Sequence, residues 1–360
     1  MKENKKINFV MPANYDHAIG GFKIVYQYAN WLVEQGFDVS MCYCYAANES
    51  KAYAALKRGI DTKIFKFSKR KSEVTWFPLN SAIKSFYNCI FSSDIPDADI
   101  VFATGAKTAP LVSSLPKEKG QKFYFIQNYE AEGFGNKKGF VEKTYNLGLT
   151  NIVISQELRQ KVLASGASEP KYLPNFYNPD EFYLEKPIGD RGNMICLLNH
   201  TQETKRTKFG LEILREVKNV IPNLEVQLFG AYDPIETLED WVHFTKNANS
   251  DQLRKEIYGT SKIYLLPSVL EGWGLTGMEA MASGAVVVSS RIGGIVDYAN
   301  DNNSVLIEPD NKAEFVNAIT NLLKNDEQRI AVATKGNEDV KQYVIDKSGE
   351  RLLKIINSEI

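Results

Sequence analysis

Residues 263–292 decide the fold of this chain, and they read Ile263-Tyr-Leu-Leu-Pro-Ser-Val-Leu-Glu271-Gly-Trp-Gly-Leu-Thr-Gly-Met-Glu279-Ala-Met-Ala-Ser-Gly-Ala-Val-Val-Val-Ser-Ser-Arg-Ile292. An apolar run opens the stretch, and a glycine-rich turn carrying Glu271 follows it. A short helical pattern carrying Glu279 comes next, and a second apolar run closes the unit. This order predicts a strand, a loop, a helix and a strand.

The glycine-rich turn indicates an anion-binding site. Gly272 and Gly274 allow the backbone to come close to a ligand. The turn leads into the first residues of a helix, where free N–H groups and the helix dipole favour a phosphate group. The stretch therefore predicts a phosphorylated ligand.

Outward from this stretch, strand and helix patterns alternate along the whole chain. With 360 residues, 44% of them hydrophobic, two domains are expected. Residues 172–192 are rich in Pro, Asn and Gly and interrupt the alternation, so they form the candidate linker. The pattern predicts an α/β protein with two doubly wound halves that face each other across a cleft. The expected domains are residues 1–180 and 181–345, followed by a final helical segment, residues 346–360.

Composition excludes several classes of function. A formal net charge of −1 disfavours a nucleic-acid-binding protein, which usually carries a strongly basic domain. The four cysteines include no C-x-x-C pair, so we expect no metal site and a reducing compartment such as the cytoplasm. The N-terminus is not a signal peptide, and the sequence has no run of roughly 18 apolar residues. A soluble or peripheral protein is expected.

Three other features each allow two interpretations. Gly20-Gly21 follows the first predicted strand and is either a tight turn that needs positive φ or a direct phosphate or acceptor contact. Asp97-Ala98-Asp99 has the D-x-D spacing of a metal site, but acidic residues are also common where a loop enters a strand. Region 51–91 is basic and aromatic, which fits either contact with anionic lipid at the inner face of a membrane or a solvated charged face. Its basic residues are Lys51, Lys57, Arg58, Lys63, Lys66, Lys69, Arg70, Lys71 and Lys84.

The stretch E-G-W-G-L-T-G-M-E-A-M-A-S-G, with seven residues between Glu271 and Glu279, closely resembles the C-terminal signature of retaining glycosyltransferases of family 4. Gly293-Gly294 and Asp297-Tyr298 extend the resemblance. The resemblance implies the GT-B fold, with a nucleotide sugar bound mainly by the C-terminal domain and an acceptor bound mainly by the N-terminal one. It implies no cofactor and no metal ion, and a last helix that crosses back to the first domain.

The resemblance also implies roles for individual residues. Glu271 would contact hydroxyls of the donor sugar, Glu279 the ribose, and the backbone after Gly274 the diphosphate. In the family, an arginine and a lysine neutralise the leaving diphosphate. Lys205 matches that lysine, whereas Asn199 or His200 stands at the place of the arginine, with Arg206 as the alternative cation. The donor-binding residues implied are Gly20, Gly21, Gly230, Gly272, Trp273, Gly274, Leu275, Thr276 and Glu279, and the catalytic ones are Glu271, Lys205, Arg206 and His200.

The segment Gln127-Asn128-Tyr129-Glu130 is expected on the acceptor side, because it follows a predicted strand. It is similar to the Gln-Asp-Tyr-Glu of surface-polysaccharide and S-layer rhamnosyltransferases. Glu130 could be a base or an acceptor ligand, or it could cap a loop. The implied activity is transfer of a sugar from dTDP-rhamnose or a UDP-hexose to a hydroxyl of a growing, lipid-linked surface glycan.

Rival interpretations rest on the same residues. Gly272-x-Gly274-x-x-Gly277 has the form of a dinucleotide-binding fingerprint, and Arg291 could then suit NADP in a dehydrogenase. Thr276-x-x-Glu279 could be a capping box, in which the glutamate only satisfies the helix start. A GT-B protein that binds sugar nucleotide as the non-catalytic partner of another enzyme is the third possibility.

Overall fold

Two separate parallel sheets organise the computed structural model of this chain, which describes residues 4–15, 19–45, 74–130 and 139–359. Contacts divide the chain into a first unit, Met1–Asn175 with Ile345–Ile360, and a second unit, Phe176–Val344. The sequence places this boundary after residue 180. The structure places it earlier because Tyr177 pairs with Val344 and the ring of Phe182 lies 6.1 Å from that of Tyr258, all within the second unit.

The first unit is built on a seven-stranded parallel sheet with the order β3-β2-β1-β4-β5-β6-β7. Its strands are nearly continuous apolar runs, as expected for a sheet covered on both faces. The central strand β1 is buried from Ile7 to Met11. The strands are β1 Lys6–Met11, β2 Asp38–Cys44, β3 Lys84–Cys89, β4 Ile100–Ala103, β5 Gln121–Ile126, β6 Thr150–Val153 and β7 Lys171–Tyr172.

The helices of the first unit are α1 Gly20–Glu34, α2 Ala109–Ser113, α3 Phe140–Thr144 and α4 Gln156–Ala164, joined by the last helix of the chain, α10 Ile345–Glu359. Helix α10 belongs to this unit because it packs on α1. Asp346 accepts a hydrogen bond from Trp31 Nε1 at 2.9 Å, and a Cβ at Gly349 would lie 2.6 Å from the Trp31 ring.

The second unit is built on a six-stranded parallel sheet with the order β10-β9-β8-β11-β12-β13. Its strands are β8 Met194–Leu198, β9 Glu225–Gly230, β10 Val242–Lys246, β11 Ile263–Leu266, β12 Val286–Ser290 and β13 Val305–Ile307. Its helices are α5 Thr207–Val220, α6 Ser250–Gln252, α7 Leu275–Ala282, α8 Lys312–Lys324 and α9 Asp326–Val340. Residues Leu253–Tyr258 continue α6 as a π-helix.

Both sheets have a switch point, where helical connections leave in opposite directions from two neighbouring strands. In the first unit the switch lies between β1 and β4, and in the second it lies between β8 and β11. Ligands of doubly wound sheets bind beyond the carboxyl ends of the strands at such points. The topology therefore directs attention to the loops after β1, β4, β8 and β11.

Some local predictions are wrong. Gly20 and Gly21 do not form a turn with positive φ; they are the first two residues of α1. Strands β3 and β13 are not predicted, because β3 is an edge strand with a half-exposed pattern and β13 has only three residues.

The basic part of region 51–91 lies outside the described residues up to residue 73, so its interpretation as a lipid-binding surface stays a prediction. Within the part of the chain that the structure covers, no helix is long and apolar enough to cross a membrane.

Candidate functional site

Glu271 lies in the loop after β11 and is held by two hydrogen bonds. Its Oε1 accepts from Lys205 Nζ at 2.7 Å and from Ser268 Oγ at 2.9 Å. Lys205 belongs to the loop after β8, 66 residues away in sequence. Since β8 and β11 are neighbouring strands, the two loops meet at the switch point of the second unit. The predicted residues Lys205 and Glu271 are therefore brought together as an ion pair.

This ion pair is well shielded from solvent. The Glu271 side chain is 9% exposed and that of Lys205 22%. A backbone hydrogen bond from Val269 N to Thr204 O, 2.9 Å long, joins the same two loops. The pair and this bond fix the position of one loop relative to the other.

Helix α7 starts beside Glu271, and its start is shaped by Gly274. This residue has φ 81° and ψ 52°, and a Cβ there would lie 2.9 Å from Ile295 Cγ1. The Tyr298 hydroxyl donates to Gly274 O at 2.8 Å. The amides of Leu275 and Thr276 open the helix, where no intrahelical acceptor is available to them. The geometry matches the anion-binding helix start predicted from the sequence.

The predicted capping box is wrong. Gly274, and not a residue with a capping side chain, is the N-cap of α7. Thr276 lies inside the helix, and its Oγ1 accepts a hydrogen bond from the Tyr264 hydroxyl at 2.9 Å. Glu279 is partly buried one turn further on, and its charge contributes, after burial, to raising the pKa of Tyr258. Its ligand role stays a prediction.

The loop after β8 begins with a buried asparagine. Asn199 is 0% exposed, and its Nδ2 donates to Tyr232 O at 2.8 Å and to Asp233 O at 3.1 Å. A Cβ at Gly230 would lie 2.1 Å from Asn199 O, so glycine is required there by backbone packing. Gly230 therefore has a structural reason, and its predicted contact with the donor stays a prediction.

His200 is the next residue of this loop, and its ring is held on one side. Nδ1 accepts a hydrogen bond from Gln202 N at 3.0 Å, and the Tyr232 ring lies edge-on at 5.2 Å. The pKa of His200 is lowered, mainly by burial and then by the charge of Lys205, while Glu271 acts in the opposite direction. The imidazole is therefore held towards its neutral form.

Arg206 is turned towards other partners. It caps α5 with φ 54°, its guanidinium lies 3.8 Å above the Phe209 ring, and Nη2 pairs with Asp310 Oδ1 at 2.6 Å. These contacts give Arg206 a structural role. Its predicted service as the second cation at a diphosphate stays a prediction.

Several buried polar atoms of these two loops have no hydrogen-bond partner among the described residues. They are Asn199 Oδ1, Thr204 Oγ1, Arg206 Nη1 and, in the glycine-rich turn, Trp273 Nε1. Trp273 is 3% exposed and packs against Tyr298 and Tyr343. Buried polar groups are normally satisfied, so such a group of unpaired atoms is typical of a site that a ligand or ordered water completes.

Gly272 is also fixed by packing, since its O lies 2.2 Å from where a Cβ of Gly294 would be. Gly294 N donates to Glu271 O at 3.4 Å. The two backbones thus touch, which explains the Gly293-Gly294 pair of the sequence. Ser268 and Tyr298 hold the site together, and sequence reasoning assigned them no role; the signal for Ser268 was its position three residues before Glu271.

In the first unit, the structure places Gly21 beside Gln127, at the carboxyl ends of β1 and β5. Gln127 Nε2 donates to Gly21 O at 2.9 Å. Gln127 Oε1 is buried and has no hydrogen-bond partner in the described ranges. A buried acceptor with an open valence marks this end of the sheet as a second candidate site.

Glu130 caps the loop after β4, as one of the two interpretations predicts. Its Oε1 accepts from Ala106 N at 3.1 Å, and a Cβ at Gly105 would approach the same oxygen to 3.2 Å. Burial raises the pKa of Glu130 to about 7, although the Ala106 N–H and Lys107 act against it.

The other two acceptor-side residues point elsewhere. The Tyr129 hydroxyl donates to Glu142 Oε1 at 2.5 Å, and Asn128 Oδ1 accepts from Tyr129 N at 2.9 Å. The D-x-D pair is structural: Asp99 accepts from Lys6 N at 2.7 Å, and Asp97 pairs with Lys119 at 2.8 Å. Neither aspartate lies at a carboxyl end of the sheet.

Comparison with known proteins agrees with this site. The family described as Glycosyl transferases group 1 matches residues 185–339. A D-inositol 3-phosphate glycosyltransferase of Corynebacterium urealyticum is 30% identical over 118 residues, 32% of this chain and 28% of that protein. A trehalose synthase of Pyrococcus horikoshii is 31% identical over 169 residues, 41% of this chain and 40% of that protein. The chain therefore spans less than half the length of these curated relatives in its matches.

Solved structures match over nearly the whole chain. Sucrose-phosphate synthase from Thermosynechococcus elongatus gives a TM-score of 0.72 at 15% identity, covering 99% of both chains. Anabaena HepE in complex with UDP-glucose gives 0.74 at 12% identity, covering 99% of this chain and 100% of that one. At these identities the likeness shows the fold, and it confirms the predicted GT-B class with two Rossmann-like α/β domains.

Proposed function

We propose that this protein, whose second unit belongs to the group 1 glycosyl transferases, transfers a sugar from a nucleoside diphosphate to a hydroxyl of a growing glycan. The transfer is proposed to retain the configuration of the anomeric carbon. We propose dTDP-rhamnose or a UDP-hexose as the donor and a lipid-linked surface glycan as the acceptor. That HepE binds UDP-glucose supports a sugar nucleotide as the ligand.

One observation carries the proposal: the Lys205–Glu271 ion pair lies at the switch point of the second unit, beside the start of α7. The ammonium group and the free amides of the helix start supply positive charge for a diphosphate. Glu271 Oε2 forms no hydrogen bond within the described parts of the chain, so it remains available to accept from a sugar hydroxyl. Anion and sugar are thus served by adjacent groups.

The proposed chemistry breaks the bond between the anomeric carbon and the diphosphate oxygen, and the electron pair leaves with the diphosphate. The acceptor oxygen forms the new bond and gives up its proton. Lys205 and the amides of Leu275 and Thr276 stabilise the charge on the departing diphosphate, while Glu271 orients the sugar and Glu279 the ribose.

The first unit is proposed to bind the acceptor. Gln127 Oε1 and Glu130 supply hydrogen-bond acceptors for a hydroxyl at the carboxyl ends of its strands. The sequence of region 51–91 supports peripheral contact with the inner face of a membrane, where a lipid-linked acceptor would be met. The protein is then expected in the cytoplasm.

The decisive experiment compares wild type with Lys205→Met and Glu271→Gln for transfer and hydrolysis of UDP-glucose, dTDP-rhamnose, GDP-mannose and ADP-glucose. Both variants are expected to lose at least about a hundredfold in kcat/KM, since each removes an interaction with developing charge or with the sugar. Lys335→Met is the matched control, because Lys335 forms an exposed pair with Asp339 at 2.6 Å on α9. Equal loss in all three variants, or no loss in the first two, would refute the assignment.

Two further measurements test the finer parts of the proposal. Proton NMR of the fresh product reports whether the anomeric configuration of the donor is retained. Activity that persists in EDTA is expected, because the protein's own cations neutralise the diphosphate. Loss of activity with EDTA and recovery with Mg²⁺ would contradict this part alone.

A dehydrogenase is disfavoured by the residues of its own fingerprint. Arg291, the residue that would hold the phosphate of NADP, pairs with Asp301 at 2.8 Å and lies 3.6 Å from Glu308. A non-catalytic binding partner would bind a sugar nucleotide without turnover in the assay above.

A further inference from the structure

We propose that His200 is a hydrogen-bond donor to the diphosphate of the donor, and that its protonation makes sugar-nucleotide binding stronger as the pH falls. The inference rests on the proposed function and deepens it. It assigns the place of the second cation to an imidazole that titrates, and not to the permanent charge of Arg206.

The first step is the hydrogen bond that fixes the ring. Gln202 N donates to His200 Nδ1 at 3.0 Å, so the proton of the neutral ring lies on Nε2. The bond from His200 N to Thr207 Oγ1, at 3.0 Å, holds the backbone of the same residue. Nε2 has no hydrogen-bond partner in the part of the chain that the structure covers and is free to donate to a ligand.

The second step is the surroundings of the ring. His200 lies within electrostatic reach of Lys205 and Glu271, the two residues whose pairing defines the site. The Tyr232 ring packs on its other side, held by Asn199. Arg206, by contrast, is taken up by Asp310 and Phe209. Of these two candidates, only His200 presents an unused donor.

The third step is the linkage between pH and affinity. Lys205 and burial lower the pKa of His200, whereas a bound diphosphate places negative charge beside the ring and raises it. The gain in affinity is then fully present below the pKa of the free protein and is lost as the pH rises through the pKa of the complex. Each unit between the two pKa values corresponds to about tenfold in affinity.

The test measures binding of UDP-glucose, dTDP-rhamnose, GDP-mannose and ADP-glucose by titration calorimetry between about pH 5 and about pH 8. These probes carry a diphosphate esterified at both ends, which has no proton that titrates in this range. We expect the probe that binds wild type to bind about tenfold more tightly at the lower pH. Thermal melts at each pH verify that every variant is folded.

Three variants separate the explanations. His200→Gln keeps a donor that does not titrate, so its affinity is expected to be flat with pH and to equal that of wild type only at the higher pH. His200→Arg is expected to be flat and tight throughout. His243→Gln is the control, because His243 is an exposed histidine paired with Glu225 at 2.8 Å, and it is expected to keep the wild-type profile.

A flat wild-type profile, a slope that survives in His200→Gln, or a slope lost in His243→Gln would each overturn the inference. Affinity that depends on Arg206→Met but not on either His200 variant would give the second donor to Arg206 instead. If none of the four sugar nucleotides binds wild type at any pH, the proposed function itself fails.

Discussion

Replacing Tyr298 with Phe is expected to weaken donor binding although Tyr298 reaches no ligand in our proposal. Its hydroxyl donates to Gly274 O at 2.8 Å, and the residue is 4% exposed. The substitution removes the donor and leaves the Gly274 carbonyl buried, while the packing of the ring against Trp273 remains. Loss of one buried hydrogen bond with an acceptor left unsatisfied destabilises by about 1–3 kcal/mol.

The effect on function follows from the place of that carbonyl. Gly274 is the N-cap of α7, so the Tyr298 bond fixes the residues whose amides are proposed to bind the diphosphate. A shift of these amides by a fraction of an ångström is expected to raise KM for the donor several-fold and to lower kcat/KM by about tenfold. Chemical denaturation gives the first quantity, and initial rates against donor concentration give the second.

Tyr343→Phe is the matched control for Tyr298→Phe. The Tyr343 hydroxyl also donates to a backbone oxygen, Asp297 O, at 2.9 Å, and its ring also contacts Trp273. This variant is expected to lose stability without a change in KM for the donor, because its bond lies outside the helix start. A KM that rises equally in both variants, or in neither, would refute the reasoning.

Two other predictions concern stability. Glu130 holds its proton in the folded protein up to about pH 7, whereas its ordinary value is 4.5, so the native state loses stability as the pH rises between these values. Glu130→Gln is therefore expected to exceed wild type by on the order of 1–3 kcal/mol at pH 8 and to match it at pH 4.5 in urea unfolding; a constant difference at all pH values would contradict the burial of this carboxyl. Gly230→Ala is expected to destabilise by at least about 2 kcal/mol, because its Cβ would lie 2.1 Å from Asn199 O, whereas Gly192→Ala, with nothing within 4 Å, is expected to be neutral in the same thermal melts.

The alternation of apolar runs and helical patterns was enough to predict two doubly wound halves. Strand β11 matches its prediction, Ile263–Leu266, because a buried parallel strand is a plain apolar run between breakers. Strand β3 escaped prediction because edge strands carry polar residues and half-exposed faces. The glycines at residues 20 and 21 were misjudged, since a glycine can begin a helix as well as form a turn.

The candidate site could be predicted only in part. The residues Lys205 and Glu271 were named from the sequence, but their pairing depends on the order of strands in the sheet, which local patterns do not specify. The same holds for Gln127 and Gly21, which are 106 residues apart. The engagement of Arg206 by Asp310 was also beyond the sequence, because it joins the end of one loop to a distant turn.

The ion pair resolves a difficulty that the sequence raises. A carboxylate at the tip of a glycine-rich turn would repel a diphosphate bound at the same turn. In the structure, Lys205 Nζ lies 2.7 Å from Glu271 Oε1, so the negative charge is already compensated before an anion arrives. An ammonium group has three donors, and only one of them is used by the carboxylate in this pair. Lys205 can therefore bind a diphosphate oxygen without releasing Glu271, and the same pair fixes where the sugar and the leaving group must lie relative to each other.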